Sequence, residues 1–519
     1  VADWLLIPMC PTPNGRLHIG HGAGPYLRAD AIARALRRDG HTAAVITGTD
    51  AHENWVLAAA GPDRTPEQTC AHYHAGIEHD LRALGVELDQ WIDPLAPEHR
   101  TAYRELHERM FDTLRARGVA RLGVERIPVG EHSGQPLLGV WIAGRCPTCD
   151  APAGGNTCTA CSDHFHPDEL REAHSRLTDE PIRWQDHPSW FAYPDDPAAI
   201  LDRLRATGLP EQFLTAPRTY LRRPTARTRL TQPGTWGITS DALTAGTVLS
   251  NTYYAYALYC GQLHNRTDGN AFAPDSQTTV VGLFGTDNSI AGLVAPHVLA
   301  APASFKPFDH TVINHMVHFE GHKCSTSKQH GIWISDLIDN TNVTSDELRY
   351  ALAQLPIDHH IGEIDTATLT HRINELRTWH THHLAPALHT GRETILDTAD
   401  LELIASQLDR QRRHLTPPHT DLAAATTVIR DWMFDKTLDR TDTHQAVAWL
   451  TGTALLAVPV LPQLANFLWT ALHLSQQPIC LAELGNQRRP LHPTPHQIST
   501  PNRPIAESEI ESHARRPSD

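Results

Sequence analysis

The 519-residue chain has no run of about 18 apolar residues, so no transmembrane helix is expected. Its opening segment, Val1 to Cys10, is apolar but has no basic residue and no small-residue cleavage site. We expect it to be a first buried strand rather than a signal peptide. Positive charge is in deficit: 44 Lys and Arg face 59 Asp and Glu, a net charge of -15 with His neutral. A chain so balanced is not a general nucleic-acid binder, although a local basic stripe would suffice. Arg218, Arg222, Arg223, Arg227 and Arg229 are the candidates for one, and a solvated loop with scattered arginines is an equally good reading. A disulfide framework is missing too. Of nine cysteines, Cys10, Cys70, Cys260, Cys324 and Cys480 are scattered and four are clustered, which suits a reducing, cytoplasmic setting. No internal repeat is found.

What is present is a chain long enough for two or three domains, with 40% hydrophobic residues to build a core. Trp4-Leu5-Leu6-Ile7 reads as a strand, and Pro8 to Gly15 as a loop. Helical spacing then runs from His21 to Arg38, with Gly40 as a stop, and Ala43-Ala44-Val45-Ile46 is the next buried strand. Strand–helix–strand implies a parallel, doubly wound α/β sheet of Rossmann type. We expect a first half of the core over residues 1–115 and a connective insertion over 116–235. The second half follows over 236–340, a helical domain over 341–475, and a loop or disordered tail over 476–519. A capping box, Thr344 to Glu347, opens the helical part.

Three motifs carry chemistry. Pro11-Thr12-Pro13-Asn14-Gly15-Arg16-Leu17-His18-Ile19-Gly20-His21 lies between the first strand and the first helix, where backbone N–H groups and a positive helix end meet phosphate. Taken alone, His-x-x-His is as often structural or a metal pair. Gly48-Thr49-Asp50-Ala51-His52-Glu53 follows the second strand, and Asp50 stands at that strand's ligand-binding end, or caps a helix. Cys146-x-x-Cys149, then Cys158-x-x-Cys161, has the spacing of two zinc knuckles. Four protein thiolates would fill a tetrahedral ion and make the site structural.

The spelling His-Ile-Gly-His, the Gly-Thr-Asp-x-His block and the knuckle followed by Trp190-Phe191 together resemble the class I aminoacyl-tRNA synthetases of the methionyl type. Trp236-Gly237-Ile238 and Thr344–Leu352 also match that pattern. The likeness is specific over about residues 4–360 and general over 365–475. It implies ATP with Mg²⁺ as cofactor, alongside the structural Zn²⁺. His18 and His21 would stabilise charge on the α-phosphate, and Pro11, Asn14, Gly15, Gly20 and Asp287 would hold ATP. Asp50 would receive the amino acid's α-ammonium. Gly321-His322-Lys323-Cys324-Ser325-Thr326-Ser327-Lys328 stands where the family has Lys-Met-Ser-Lys-Ser. Lys323, Ser325 and Ser327 are kept, Met becomes Cys324, the second Lys becomes Thr326, and Lys328 would supply the missing charge.

The amino-acid pocket departs from the family. Its lining is expected from Met9, Cys10 and Thr12, from Tyr254, Ala257 and Leu258, and from Asn288, Ala291 and Gly292, where large apolar methionyl walls become small or polar ones. One missing methylene contact is worth ~1–3 kcal/mol. The anticodon features also depart: Thr366 to Leu388 lacks the family's Asn in register, and Met433-Phe434-Asp435-Lys436 runs on with no Pro-Trp. The expected function is ATP-dependent activation of a non-methionine amino acid in a biosynthetic pathway. The adenylate would pass to a small nucleophile, a tRNA or a partner enzyme. The alternatives are a divergent or resistance-type methionine–tRNA ligase and a catalytically inactive tRNA- or protein-binding module.

Overall fold

The structure, a computed structural model, describes residues 1–176, 178–265, 269–390, 394–435, 442–474, 479–481 and 503–516. The apolar run at Leu5–Ile7 forms β1 (Asp3–Pro8) and is fully buried, as a central strand of a parallel sheet must be. Helix α1 (Leu27–Arg38) returns the chain to β2 (Thr42–Gly48). Helix α2 (Pro66–Ala83) leads to β3 (Gln90–Ile92), and α3 (Pro97–Ala116) leaves the sheet.

An insertion follows. Its frame is an antiparallel ladder between β4 (Ala120–Gly130) and β5 (Ile182–Ala192), with Ala120 opposite Ala192 and Gly130 opposite Ile182. The four clustered cysteines lie between these strands, against a small three-stranded sheet. The chain re-enters the core at α4 (Tyr253–His264), then adds β6 (Thr279–Gly285) and β7 (His310–Asn314). The sheet order is β7-β6-β1-β2-β3, all parallel. Strand order reverses between β1 and β6, so a crevice opens at their carboxyl ends.

The short strand β8 (Gly331–Ile332) and helix α5 (Ser345–Ala353) lead into a helical region. It comprises α6 (Thr366–Trp379), α7 (Thr398–Arg413), α8 (Leu422–Met433), α9 (Thr443–Ala457) and α10 (Pro462–Ala471). Trp379, Trp449 and Trp469 are buried in its interior. Lys436 lies outside the described residues. No described helix is long and apolar enough to cross a membrane.

Three expectations change. The helix expected from His21 is broken: a π-turn spans Gly22–Tyr26, and regular helix starts at Leu27. Pro25 lacks an N–H and its ring crowds the preceding turn. The arginine stripe is engaged internally: Arg223 pairs with Asp163, Arg229 with Glu125 and Arg218 with Glu211, while Arg227 lies over Phe191. Only Arg222 of the five is exposed. Residues 503–516, expected as loop or disordered tail, dock on the core. There β9 (Ala514–Arg515) pairs antiparallel with β8. The Arg515 guanidinium lies 4.4 Å from the Trp333 ring centroid and donates to Gln329 Oε1 at 3.0 Å and Asp336 Oδ2 at 2.5 Å. Asn374 holds Ile505 through two hydrogen bonds of 2.9 and 3.0 Å. Residues 482–502 of that expected tail lie outside the described residues.

A buried cation ties the helical region to the sheet. Arg349 of α5 is fully buried and donates to Asp30 Oδ2 of α1 at 2.6 Å and to the carbonyls of Pro459 and Val460 at 2.8 Å each. Replacing it by Met removes every one of these donors and strands the carbonyls. Breaking a buried pair costs roughly 3–5 kcal/mol. Asp30 keeps Arg34 at 2.8 Å, so the lower end of that range is expected for Arg349→Met, read as a drop in the urea midpoint. An unchanged midpoint would remove Arg349 as the tie.

Candidate active site

The Pro/Gly loop after β1 ends in a capping box made of two histidines. His18 N–H donates to His21 Nδ1 at 3.4 Å, and His21 N–H donates to His18 Nδ1 at 3.3 Å. The imidazoles stack with centroids 3.9 Å apart. With Nδ1 accepting, the proton of each neutral ring sits on Nε2, leaving an outward donor. Burial, with Lys323 nearby, pushes His21 down to about 4; burial and the His21 and Lys323 charges push His18 well below its usual value. Both rings are therefore neutral donors near pH 7.

These histidines line a cavity of about 510 Å³ at the carboxyl ends of β1 and β6. Pro11, Asn14, Gly15, Gly20, Asp287 and Lys323 line the same space. Gly15 is required by close approach: a Cβ there would stand 2.2 Å from the Thr326 methyl group. The second signature loop thus lies directly on the first. Lys323 Nζ is 3.5 Å from Asp287 Oδ2, an open pair that a polyanion could enter. Ser325 and Ser327 also line the cavity and stand 3.3 Å apart, Oγ to Oγ. Lys328 does not line it; it is exposed on the loop's outer side.

Asp80 joins the two signatures, and the motifs did not disclose it. Its buried carboxylate accepts from Arg16 Nε at 2.9 Å and Nη2 at 2.7 Å, Leu17 N–H at 2.8 Å, and Ser335 Oγ at 2.6 Å.

At the other end of the cavity stand Met9, Cys10, Thr12 and Asp50; Asn288 also lines it and donates to Asp287 Oδ1 at 3.1 Å. Asp50 N–H donates to Pro11 O at 2.9 Å. Its Oδ1 accepts from Asn251 Nδ2 at 2.5 Å, and Asn251 Oδ1 accepts from Tyr103 OH at 2.6 Å. Burial and the neighbouring Glu53 push the Asp50 carboxyl well up. Five expected lining residues are not brought here. Tyr254 donates to Lys306 O at 2.7 Å and packs on Phe272 and Phe308, while Ala257 and Leu258 are buried in the same helix, α4. The register differs because α4 is capped by Thr252, so Asn251, just before it, meets Asp50. Gly292 lies under Phe284, whose ring would stand 2.2 Å from a Cβ there; neither it nor Ala291 lines the cavity. Glu53, Tyr26, Trp55 and Asn314 line it and were missed. Only Glu53, three residues after Asp50, carried a sequence signal.

A family model described as "tRNA synthetases class I (M)" matches residues 7–376. The chain belongs to this family. Among its relatives, a methionine–tRNA ligase of Chlorobaculum tepidum is 25% identical over 372 residues, covering 67% of this chain and 52% of that protein. One of Porphyromonas gingivalis is 27% identical over 363 residues, with the same coverage. The chain thus spans about half the length of the curated relatives it matches. Its fold is that of Mycobacterium tuberculosis methionyl-tRNA synthetase bound by methionyl-adenylate: TM-score 0.71, 17% identity, covering 96% of this chain and 100% of that one.

The insertion of this class I (M) chain brings Cys146, Cys149, Cys158 and Cys161 together, all four sulfurs within 4.8 Å of one another. Cys146–Cys161 and Cys149–Cys158 sulfurs are 3.7 and 3.6 Å apart. A tetrahedron with metal–sulfur bonds of about 2.3 Å has edges of about 3.8 Å, so the thiols fit a zinc-sized ion. The knuckle meets the core at the cavity, where His164 Nε2 lies 3.0 Å from Asp287 O and Asn156 joins the lining.

Behind Asp50, His107 is buried and held down to about 4, against a normal 6.5. Between those values the unfolded chain binds a proton that the folded one refuses, so this group subtracts stability as pH falls from 6.5. Asp50 and Glu53, pushed up, act with the opposite sign. A His107→Gln variant isolates the histidine. Its stability deficit against the parent protein should shrink by on the order of ten-fold in unfolding constant from about pH 7 to pH 5. Urea midpoints of both proteins read this; a widening gap would mean that His107 is not buried neutral.

Proposed function

We propose that this chain activates an amino acid with ATP, forming an aminoacyl-adenylate in the 510 Å³ cavity. The reading rests on one observation: two stacked, neutral imidazoles share that cavity with Lys323, and each has an Nε2–H left for a ligand. In the reaction, the amino acid's carboxylate oxygen bonds to the α-phosphorus while the bond to the bridging oxygen breaks, and pyrophosphate leaves with that electron pair. Negative charge grows on the α-phosphate oxygens, where His18 and His21 donate. Lys323 shifts from Asp287 to the leaving pyrophosphate. Fixed donors of this kind need no reorganisation as charge develops. Mg²⁺, bound with the nucleotide, supplies further charge neutralisation, and Asp287 would face it. Zinc in the four-thiolate cluster is structural, because protein fills every position.

For the amino acid we propose a substrate other than methionine. The support is the small and polar lining at Cys10, Thr12 and Asn288; the residues of α4 and the pair Ala291 and Gly292 do not contribute. Methionine with tRNA as acceptor is the second reading, favoured by the names of the relatives. A small nucleophile or a partner enzyme is the acceptor under the first.

ATP–pyrophosphate exchange with a panel of amino acids, with and without tRNA, tests both. His18→Ala should lower exchange about 100-fold while the circular dichroism spectrum is unchanged. Exchange that survives His18→Ala intact ends the phosphate role, and methionine-dependent exchange with charging of tRNA ends the non-methionine reading. Metal analysis should return about one zinc per chain, and a zinc-free, folded protein would refute the structural assignment.

A further inference from the structure

Two carboxylates stand at the amino-acid end of the cavity. Asp50 and Glu53 both line it, three residues apart in the loop after β2. Asp50 is fixed by Asn251, as described. Glu53 is placed by its neighbour: Asn54 Nδ2 donates to Leu138 O at 2.9 Å, and Asn54 Oδ1 accepts from Val140 N–H at 3.2 Å. These bonds lock the loop onto the insertion, so Glu53 sits on a braced segment between two units of the fold.

Neither acid has a cationic partner among the described residues. The cations of the cavity and its rim are committed elsewhere: Lys323 faces Asp287, Arg16 is held by Asp80, and Arg176 lies 4.5 Å from the Trp55 ring centroid. Burial raises both carboxyl groups, and the charge of Glu53 raises Asp50 further. One α-ammonium would balance one carboxylate. The second would still lose hydration on ligand binding with nothing to replace it, which is costly.

Resting on the adenylation reading, we propose that Glu53 binds a second protonated nitrogen, so that the cavity takes an ammonium group in addition to the α-ammonium held by Asp50. Two sources share this chemistry. One is the side-chain amine of a short diamino acid. The other is the amine of an acceptor lying beside the adenylate. Methionine offers Glu53 neither. A proton shared between Asp50 and Glu53 would make the second cation unnecessary, and the experiment separates that case.

The wild-type protein and Glu53→Gln, matched by thermal midpoint, are compared in two arms. In the first, exchange is measured with alanine, methionine, 2,3-diaminopropionate, 2,4-diaminobutyrate and ornithine. A side-chain source predicts that wild type prefers one diamino acid over alanine by about 10-fold or more in kcat/KM, and that Glu53→Gln erases the preference. In the second, AMP release is followed with each amino acid while 1,3-diaminopropane is added. An acceptor source predicts acceleration by the diamine in wild type and none in Glu53→Gln. Equal behaviour of the two proteins in both arms overturns the proposal. If no amino acid supports exchange, adenylation itself falls; calorimetric binding of the same amino acids and diamine to both proteins then decides the second nitrogen separately. Binding that depends on Glu53 sustains it, and binding indifferent to Glu53 ends it.

Discussion

The carboxylate of Asp80 is the interaction on which the site depends. It is buried, which on its own would be costly, and four donor bonds from three residues in two segments surround it. Two come from Arg16, one from the Leu17 backbone and one from Ser335. The first signature loop and the helix after the second signature are therefore clamped at one point on α2. Close by, Ile334 N–H donates to Leu17 O at 3.1 Å, and His18 bridges to Trp333. The two motifs, some 300 residues apart in sequence, act as one object because a helix from neither of them supplies the anion between them.

Around that clamp the charges divide the cavity. One end presents neutral imidazole donors and a lysine loosely held by Asp287, a pattern suited to phosphate. The other end presents acids and amide groups. A dipolar amino acid and a polyanionic nucleotide would meet in the middle, each against complementary charge. The net acidity of the chain is no obstacle to this, since the positive groups that matter lie within one crevice.

The elements set by local chemistry were legible. β1, α1 and β2 follow from an apolar run, a Pro/Gly loop and helical spacing, and the clustered cysteines from their intervals. What escaped was the facing of residues. Tyr253 to Cys260 is apolar all round, so no periodicity says which side meets a cavity, and residues of α4 were assigned to a lining that none of them joins. Gly292 looked like a widened pocket, yet a neighbouring ring fills the space it leaves. Asp80 and Asn251 lie in no motif; only tertiary approach gives them partners. The arginines looked like a surface because their acids lie 7 to 104 residues away in sequence. Residues 503–516 looked loose because only Ile505 and Ile510 are buried in the core there, and ion pairs and backbone bonds hold the rest.

The pairing of β8 with β9 also sets a clock. Gln329, beside the second signature, and Arg515, which grips it, are separated by 186 positions in the chain. A ribosome adding ~5–20 residues per second needs on the order of ten seconds or more to travel that distance. Throughout this interval every residue that lines the cavity already exists, but the strand that pins β8 does not. The emerging polypeptide thus holds a complete set of cavity groups on an unfinished support, and full closure of the site waits for that strand.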